Sequence, residues 1–157
     1  MQEKYSVVIA DTSCFILLDK INELDLLQKI FKHITTTEEI AKEFNKPLPQ
    51  WVSIQSAKNP RYSELLEIEV DKGEASAISL ALEINNSLLI LDDQKARKLA
   101  ERLRLNYTGT LGILLKAKEV GILTAIKPVL QKIQQTNFRF SEKVLNDILR
   151  TADEIIE

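Results

Sequence analysis

Several carboxylates of this chain stand where an apolar run stops. The run "SVVIA" (6–10) ends in Asp11, and "LLIL" (88–91) ends in Asp92 and Asp93. Two acids side by side at a strand end repel each other, and water alone compensates little. Two glutamates extend the set: Glu43, one turn after Glu39 in "TTEEIAKEF", and Glu74, directly after Gly73 in "DKGEASAISLALE". If Asp11, Glu43, Glu74 and Asp92 or Asp93 converge from four segments, each raises the pKa of the others unless a cation intervenes. An all-oxygen site suits a hard divalent ion, Mg2+ or Mn2+. A metal held by carboxylates with open positions orients water and stabilises charge developing on a phosphate, the chemistry of phosphodiester hydrolysis. Thr12, Ser13 and Thr110 are short hydroxyl residues at strand ends, able to bond a phosphate oxygen or a water. None is a nucleophile, because no histidine base is placed for one.

Each acid also has a plainer reading. Asp11 before "TS" suits a helix cap. Glu74 suits the dipole of the helix it opens, and Glu38 and Glu39 suit the first turn of a helix capped by Thr37. That leaves Glu43 as the candidate of its segment, with Glu38 and Glu39 as competitors. One of Asp92 and Asp93 can cap the following helix, and the second needs another reason. Lys95, Arg97, Lys98, Arg102 and Arg104 read mostly as a solvated helix face, with Arg97 starting closest to the expected site. His33 reads as structural. Trp51 and the scattered aromatics form no stacking series for single-stranded RNA and read as packing.

The elements that must position these residues follow from pattern. "SVVIA" and "LLIL" are continuous apolar runs, as in strands buried on both faces. "HITTT" (33–37) and "LNYTG" (105–109) read as short strands, and "WVSIQSA" (51–57) alternates like an extra one. Residues 12–31 have helical spacing in two pieces, the second from about Leu24. Further helices are expected over "EEIAKEF", within "NPRYSELLEIEVDKG", from Glu74, over 93–104 and over 110–121, the last closed by Gly121. Two more, "TAIKPVLQKIQQ" and "SEKVLNDILRTADEII", end the chain, with Pro128 near a first turn where it is tolerated. Strands alternating with helices imply a parallel sheet covered on both faces, whose functional groups collect beyond the C-terminal strand ends.

The 157 residues, 45% hydrophobic and 28% charged, describe one globular domain over 1–157, with helices about 124–153 packing on it. The net charge of −2 excludes a global basic field, so any nucleic-acid surface is local. The lone Cys14 excludes an internal disulfide, and the lone His33 excludes a His-rich zinc site. The N-terminus carries no leader-like apolar stretch and no run suits a membrane span, so a cytoplasmic location is expected. There is no Gly-rich dinucleotide or P-loop signature. "DTS" lacks the second aspartate of a dehalogenase-type phosphatase, and the receiver-type lysine after the last strand is missing.

The succession "VVIADTS", "TTEEIAKEF", "DKGEASAISLALE", "LLILDDQKARKLAERL", "YTGTLGILLKAKEVGIL" resembles the PIN-domain family. It is most similar to the small stand-alone prokaryotic DUF3368 branch, related to the toxin nucleases of toxin–antitoxin pairs. The resemblance runs from about Tyr5 to Leu149. It implies a three-layer α/β/α sandwich around a central parallel sheet, an acidic site for Mg2+ or Mn2+, and cleavage of single-stranded RNA. Carried over, Asp11 is the first-strand ligand, Glu43 the acid of the second segment and Glu74 the third, where toxin members usually have aspartate. Asp93 matches the aspartate after the fourth strand, Asp92 is an added neighbour, and Thr110 matches the hydroxyl after the fifth. The expected function is a metal-dependent endoribonuclease in which Asp11, Glu74 and Asp93 hold metal, working as a homodimer with an antitoxin-type partner. The alternative is a catalytically silent binding module of the same fold. A phosphatase on small substrates shares the metal logic but no motif.

Overall fold

The computed structural model describes residues 4–154. Its core is a five-stranded, all-parallel sheet with strands β1 (Val7–Ala10), β2 (Ile34–Thr36), β3 (Val52–Ile54), β4 (Ser87–Ile90) and β5 (Asn106–Thr108). The spatial order is β3-β2-β1-β4-β5, so the chain builds outward from β1 in one direction and then returns to β1's other side. β1 and β4 are therefore neighbours at the point where strand order reverses, the place where parallel sheets open a crevice. Their ladder pairs Val7 with Ser87 through Ala10 with Ile90. It continues one residue further, with the Asp11 N–H donating to the Ile90 carbonyl at 3.2 Å.

Both central strands are apolar because both faces are covered. Ile9, Ala10, Leu89, Ile90 and Leu91 are fully buried, each contributing about 1.5–3 kcal/mol for a large aliphatic side chain. The covering helices among the described residues are α1 (Thr12–Lys20), α2 (Asp25–Phe31), α3 (Glu38–Phe44), α4 (Pro60–Leu66), α5 (Lys72–Leu82), α6 (Gln94–Arg102), α7 (Thr110–Glu119), α8 (Lys127–Gln134) and α9 (Glu142–Thr151). Phe15 of α1 stacks at 5.7 Å on Phe44 of α3, closing one layer. The result is the expected three-layer α/β/α sandwich.

The ends of the elements follow the local chemistry read above, with shifts: α8 starts at Lys127 rather than at Thr124, α9 ends at Thr151 rather than running on through Glu154, and α5 starts early. Thr37 caps α3 by accepting from the Ile40 N–H at 3.3 Å, and Gly121 ends α7's descent at φ +82°, which suits glycine. The expected helix from Glu74 begins earlier, at Lys72, because Asp71 and Glu74 form a reciprocal capping box. Ser141 caps α9, and α9 packs on α7. Glu154 pins this end, accepting from the N–H groups of Ile126 and Lys127 at 2.7 and 3.0 Å and pairing with Lys118 at 3.1 Å. Ile155 and Ile156 of the expected last helix lie outside the described residues, as do residues 1–3. No described helix is long and apolar enough to cross a membrane.

Candidate functional site

The four segments named from the sequence meet at the C-terminal edge of the sheet. Asp11 follows β1 and sits at the N-cap position of α1, yet its side chain makes no capping bond. The carboxylate is 4% exposed. Burial first, then the charges of Glu74, Asp71 and Glu43, push its pKa up to about 7 against the pull of the Thr12 N–H. Without an ion pair or a cap, the Thr12 N–H is what offsets the burial of this carboxylate, and it falls short.

Glu74 lies beside it at the start of α5, 6% exposed. One oxygen accepts from the Asp71 N–H at 3.2 Å while Asp71 accepts from the Glu74 N–H at 2.8 Å. Its pKa also rises to about 7, through burial and then Asp71, with Asp93 and Glu43 adding to the effect. Glu43, at the end of α3, is held above the usual carboxylate range by burial and then Asp71. Its Oε1 occupies the space a side chain at position 73 would need, so Gly73 is what lets α3's acid close over α5.

The two helices carrying these acids are tied together just behind them. The Ser76 hydroxyl donates to the Gly73 carbonyl at 2.6 Å, and Thr37 and Ser76 share a bond of 2.7 Å. With one proton per hydroxyl, Thr37 donates to Ser76 while accepting from Ile40. The Thr36 hydroxyl, bonded to the Ala10 carbonyl at 3.0 Å, fixes β2 against β1 one residue before Asp11.

The Asp92–Asp93 pair divides its labour. Asp93 is exposed and caps α6 through the Ala96 N–H at 3.0 Å. Asp92 reaches sideways: its two oxygens accept from the Thr110 N–H at 2.8 Å and the Thr110 hydroxyl at 2.6 Å. Thr110 is fully buried, so Asp92 is the cap of α7 supplied from another strand. Arg97, on α6, stacks over the Tyr107 ring at 5.2 Å, and Ser13 is half-buried on α1. Glu38 and Glu39 lie in α3's first turn, where no charge effect on Asp11 arises from them.

Asp71 is the site residue that reading by strand ends missed. It is not at a strand end, but it bears on Asp11, Glu43 and Glu74 alike. The signal was the spacing Asp71-x-x-Glu74, a capping box in sequence. None of these six acids is ion-paired among the described residues. Nor do any three Asp, Glu, His or Cys side chains of the described residues stand together at metal-holding geometry. The donor chemistry nevertheless fits a hard divalent ion: anionic oxygens crowded without a cation, beside a buried Thr12 hydroxyl that lacks a hydrogen-bond partner.

A parallel three-layer sandwich with unpaired acids at its switch point defines an α/β protein with an acidic site beyond its strand ends. The chain belongs to the DUF3368 family, a PIN domain, whose family model matches residues 7–154. PIN domains are generally nucleases and typically use divalent metals. No curated protein and no solved structure matches the chain.

Proposed function

We propose that this protein is a metal-dependent endoribonuclease hydrolysing single-stranded RNA, with Mg2+ or Mn2+ as its ion. The observation that carries the reading is Asp11: a carboxylate sealed at the end of the central strand, unused as a cap, unpaired and raised to about 7. Perturbed acids of this kind concentrate at functional sites. Asp11, Glu74 and Asp93 would hold the ion, which would supply charge neutralisation at the phosphate and a more acidic water. Glu43, held above the usual carboxylate range, accepts a proton from the attacking water as the water oxygen bonds phosphorus and the bond to the leaving oxygen breaks, the leaving oxygen taking a proton from solvent water. The partnerless Thr12 hydroxyl donates to a phosphate oxygen, with Ser13 beside it at the start of α1. Asp92 and Thr110 act by positioning, since each satisfies the other.

The test is cleavage of an end-labelled single-stranded RNA in Mn2+ by the wild type and Asp11→Asn. The variant is expected to keep its fold and lose cleavage by at least about a hundredfold, the scale of a lost charge-stabilising group. Full activity in Asp11→Asn overturns the assignment. A small phosphoester run beside the RNA separates a nuclease from a phosphatase. A second reading, a silent PIN-fold module binding nucleic acid or protein, draws support from the lack of a preformed three-ligand group among the described residues. It requires that neither metal gives turnover of RNA, whether the module binds RNA or a protein.

The reading extends to a cytoplasmic homodimer with an antitoxin-type partner. The apolar face of α4 and the turn after it supports dimerisation, with Leu65 and Ile68 at 63% and 82% exposed.

A further inference from the structure

A cleft of about 570 Å3 opens beside the acidic edge, reaching from Asp92 along α6 to α9. One wall carries Arg97, Lys98, Tyr107 and the acidic Glu101, which accepts from the Tyr107 hydroxyl at 3.5 Å, and the other carries Phe140 and Val144. The volume lies within the range of sites for small organic groups. Arg97 is half-buried with its guanidinium over the Tyr107 ring. It makes no ion pair and no side-chain hydrogen bond with any described residue. Its position is built: a Cβ on residue 109 would stand 2.8 Å from Arg97 Nη1 and 2.9 Å from Asp92 Oδ1, so only glycine there lets both close in. A stacked guanidinium with every donor unspent, in a cleft with aromatic walls, matches a phosphate attached to a flat apolar ring.

We propose that this cleft is the subsite for a nucleotide flanking the cleaved bond of single-stranded RNA, Arg97 binding its phosphate and Phe140 stacking its base. This rests on the endoribonuclease reading and extends it from the acids to the substrate. The structure brings together aromatics that look scattered along the chain. Lys98, at the rim, adds a second positive charge that offsets Glu101 on the same wall, leaving Arg97 as the cation free for a phosphate. The occupant is sequence-tolerant, because a stacking platform accepts any base face.

The experiment is equilibrium binding of a short 5′-labelled single-stranded RNA by fluorescence anisotropy in EDTA, over a salt series. It compares the wild type, Arg97→Ala, Phe140→Ala and Asp11→Asn, with thermal midpoints confirming the fold and Phe140→Leu as a second variant should Phe140→Ala unfold. Arg97→Ala is expected to weaken binding and to reduce the slope of log K against log salt by about 0.7, one phosphate contact on a single strand. Phe140→Ala or Phe140→Leu is expected to weaken it at least about fivefold at unchanged slope, the loss of a stacked base. Asp11→Asn should bind as tightly as wild type or more so. Wild-type affinity and slope in both the Arg97 and Phe140 variants overturn the subsite, and if Asp11→Asn still abolishes cleavage, the nuclease reading survives that loss. Binding that depends on Arg97 and Phe140 without cleavage in Mn2+ or Mg2+ removes the nuclease and, with it, the assignment to a cleaved bond, leaving the cleft as a nucleotide-binding site of a silent module. No binding by the wild type removes the subsite.

Discussion

An alanine at position 73 would drive its Cβ into Glu43 Oε1. Because that oxygen ends a flexible side chain, Glu43 can swing away, and alanine in the first turn of α5 gains up to about 1 kcal/mol of helix propensity. Gly73→Ala is therefore expected to match or exceed wild-type stability in urea while cleavage falls at least tenfold. Loss of both together would show that Glu43 is structural. Asp11 yields a second prediction through its proton. Its pKa is about 7 in the fold against an ordinary 3.8, and that of Glu74 is about 7 against 4.5. The folded state binds more protons than the unfolded between those values, so their contribution is full below about 4 and is lost as pH rises through about 7. For Asp11 alone this amounts to roughly 3–5 kcal/mol at 1.36 kcal/mol per unit. Metal-free protein should melt at a lower temperature at pH 8 than at pH 5, and Asp11→Asn should flatten that slope and raise the midpoint at pH 8. An unchanged slope in the variant removes Asp11 from the buried cluster.

At the scale of elements, α7 depends on an acid from another strand. Asp92→Ala removes both bonds to Thr110 and leaves a buried N–H and hydroxyl unpaired, and chemical denaturation should show a loss of about 1–3 kcal/mol. Asp93→Ala removes an exposed cap and should lose nearer 1 kcal/mol, so equal costs would contradict the division between the two. This pair also shows what a sequence carries. That one aspartate caps α6 is local, decided within four residues, and so were the Thr37 cap and the two-piece helix of 12–31 legible. That the other reaches Thr110 depends on β4 and β5 lying side by side, a tertiary fact absent from any short window. Asp71 failed for the opposite reason: its signal was local, but attention to strand ends passed over a helix cap. The aromatics pack on the core as read, and that Tyr107 and Phe140 also share a cleft is legible only once α9 has packed on α7.

For the whole molecule, two groups of carboxylates oppose each other. Glu154 is held below its ordinary 4.5, its bonds to the Ile126 and Lys127 N–H groups and to Lys118 outweighing its burial. Its contribution is present above 4.5 and is lost as pH falls through its lowered folded value, the reverse of Asp11 and Glu74. Metal-free stability should thus peak in mild acid, at about pH 4 to 4.5, where the Glu154 contribution is full and those of Asp11 and Glu74 have only begun to fall. Mn2+ or Mg2+, which needs the acids deprotonated, should move the peak toward neutrality and add about 2.7 kcal/mol at a hundredfold excess over Kd. A melting series with and without metal checks this, and a peak that metal leaves in place counts against an ion at these acids. The pairing of α9 with α7 also has a consequence in time. At roughly 5–20 residues per second, a ribosome adds Phe140 and Val144 a few seconds after Tyr107, and longer still after Asp93. A nascent chain thus holds every acid before it holds the far wall of the cleft. In that interval the RNA nearest to it is the machine making it, and the place where that RNA would be gripped has not yet been made.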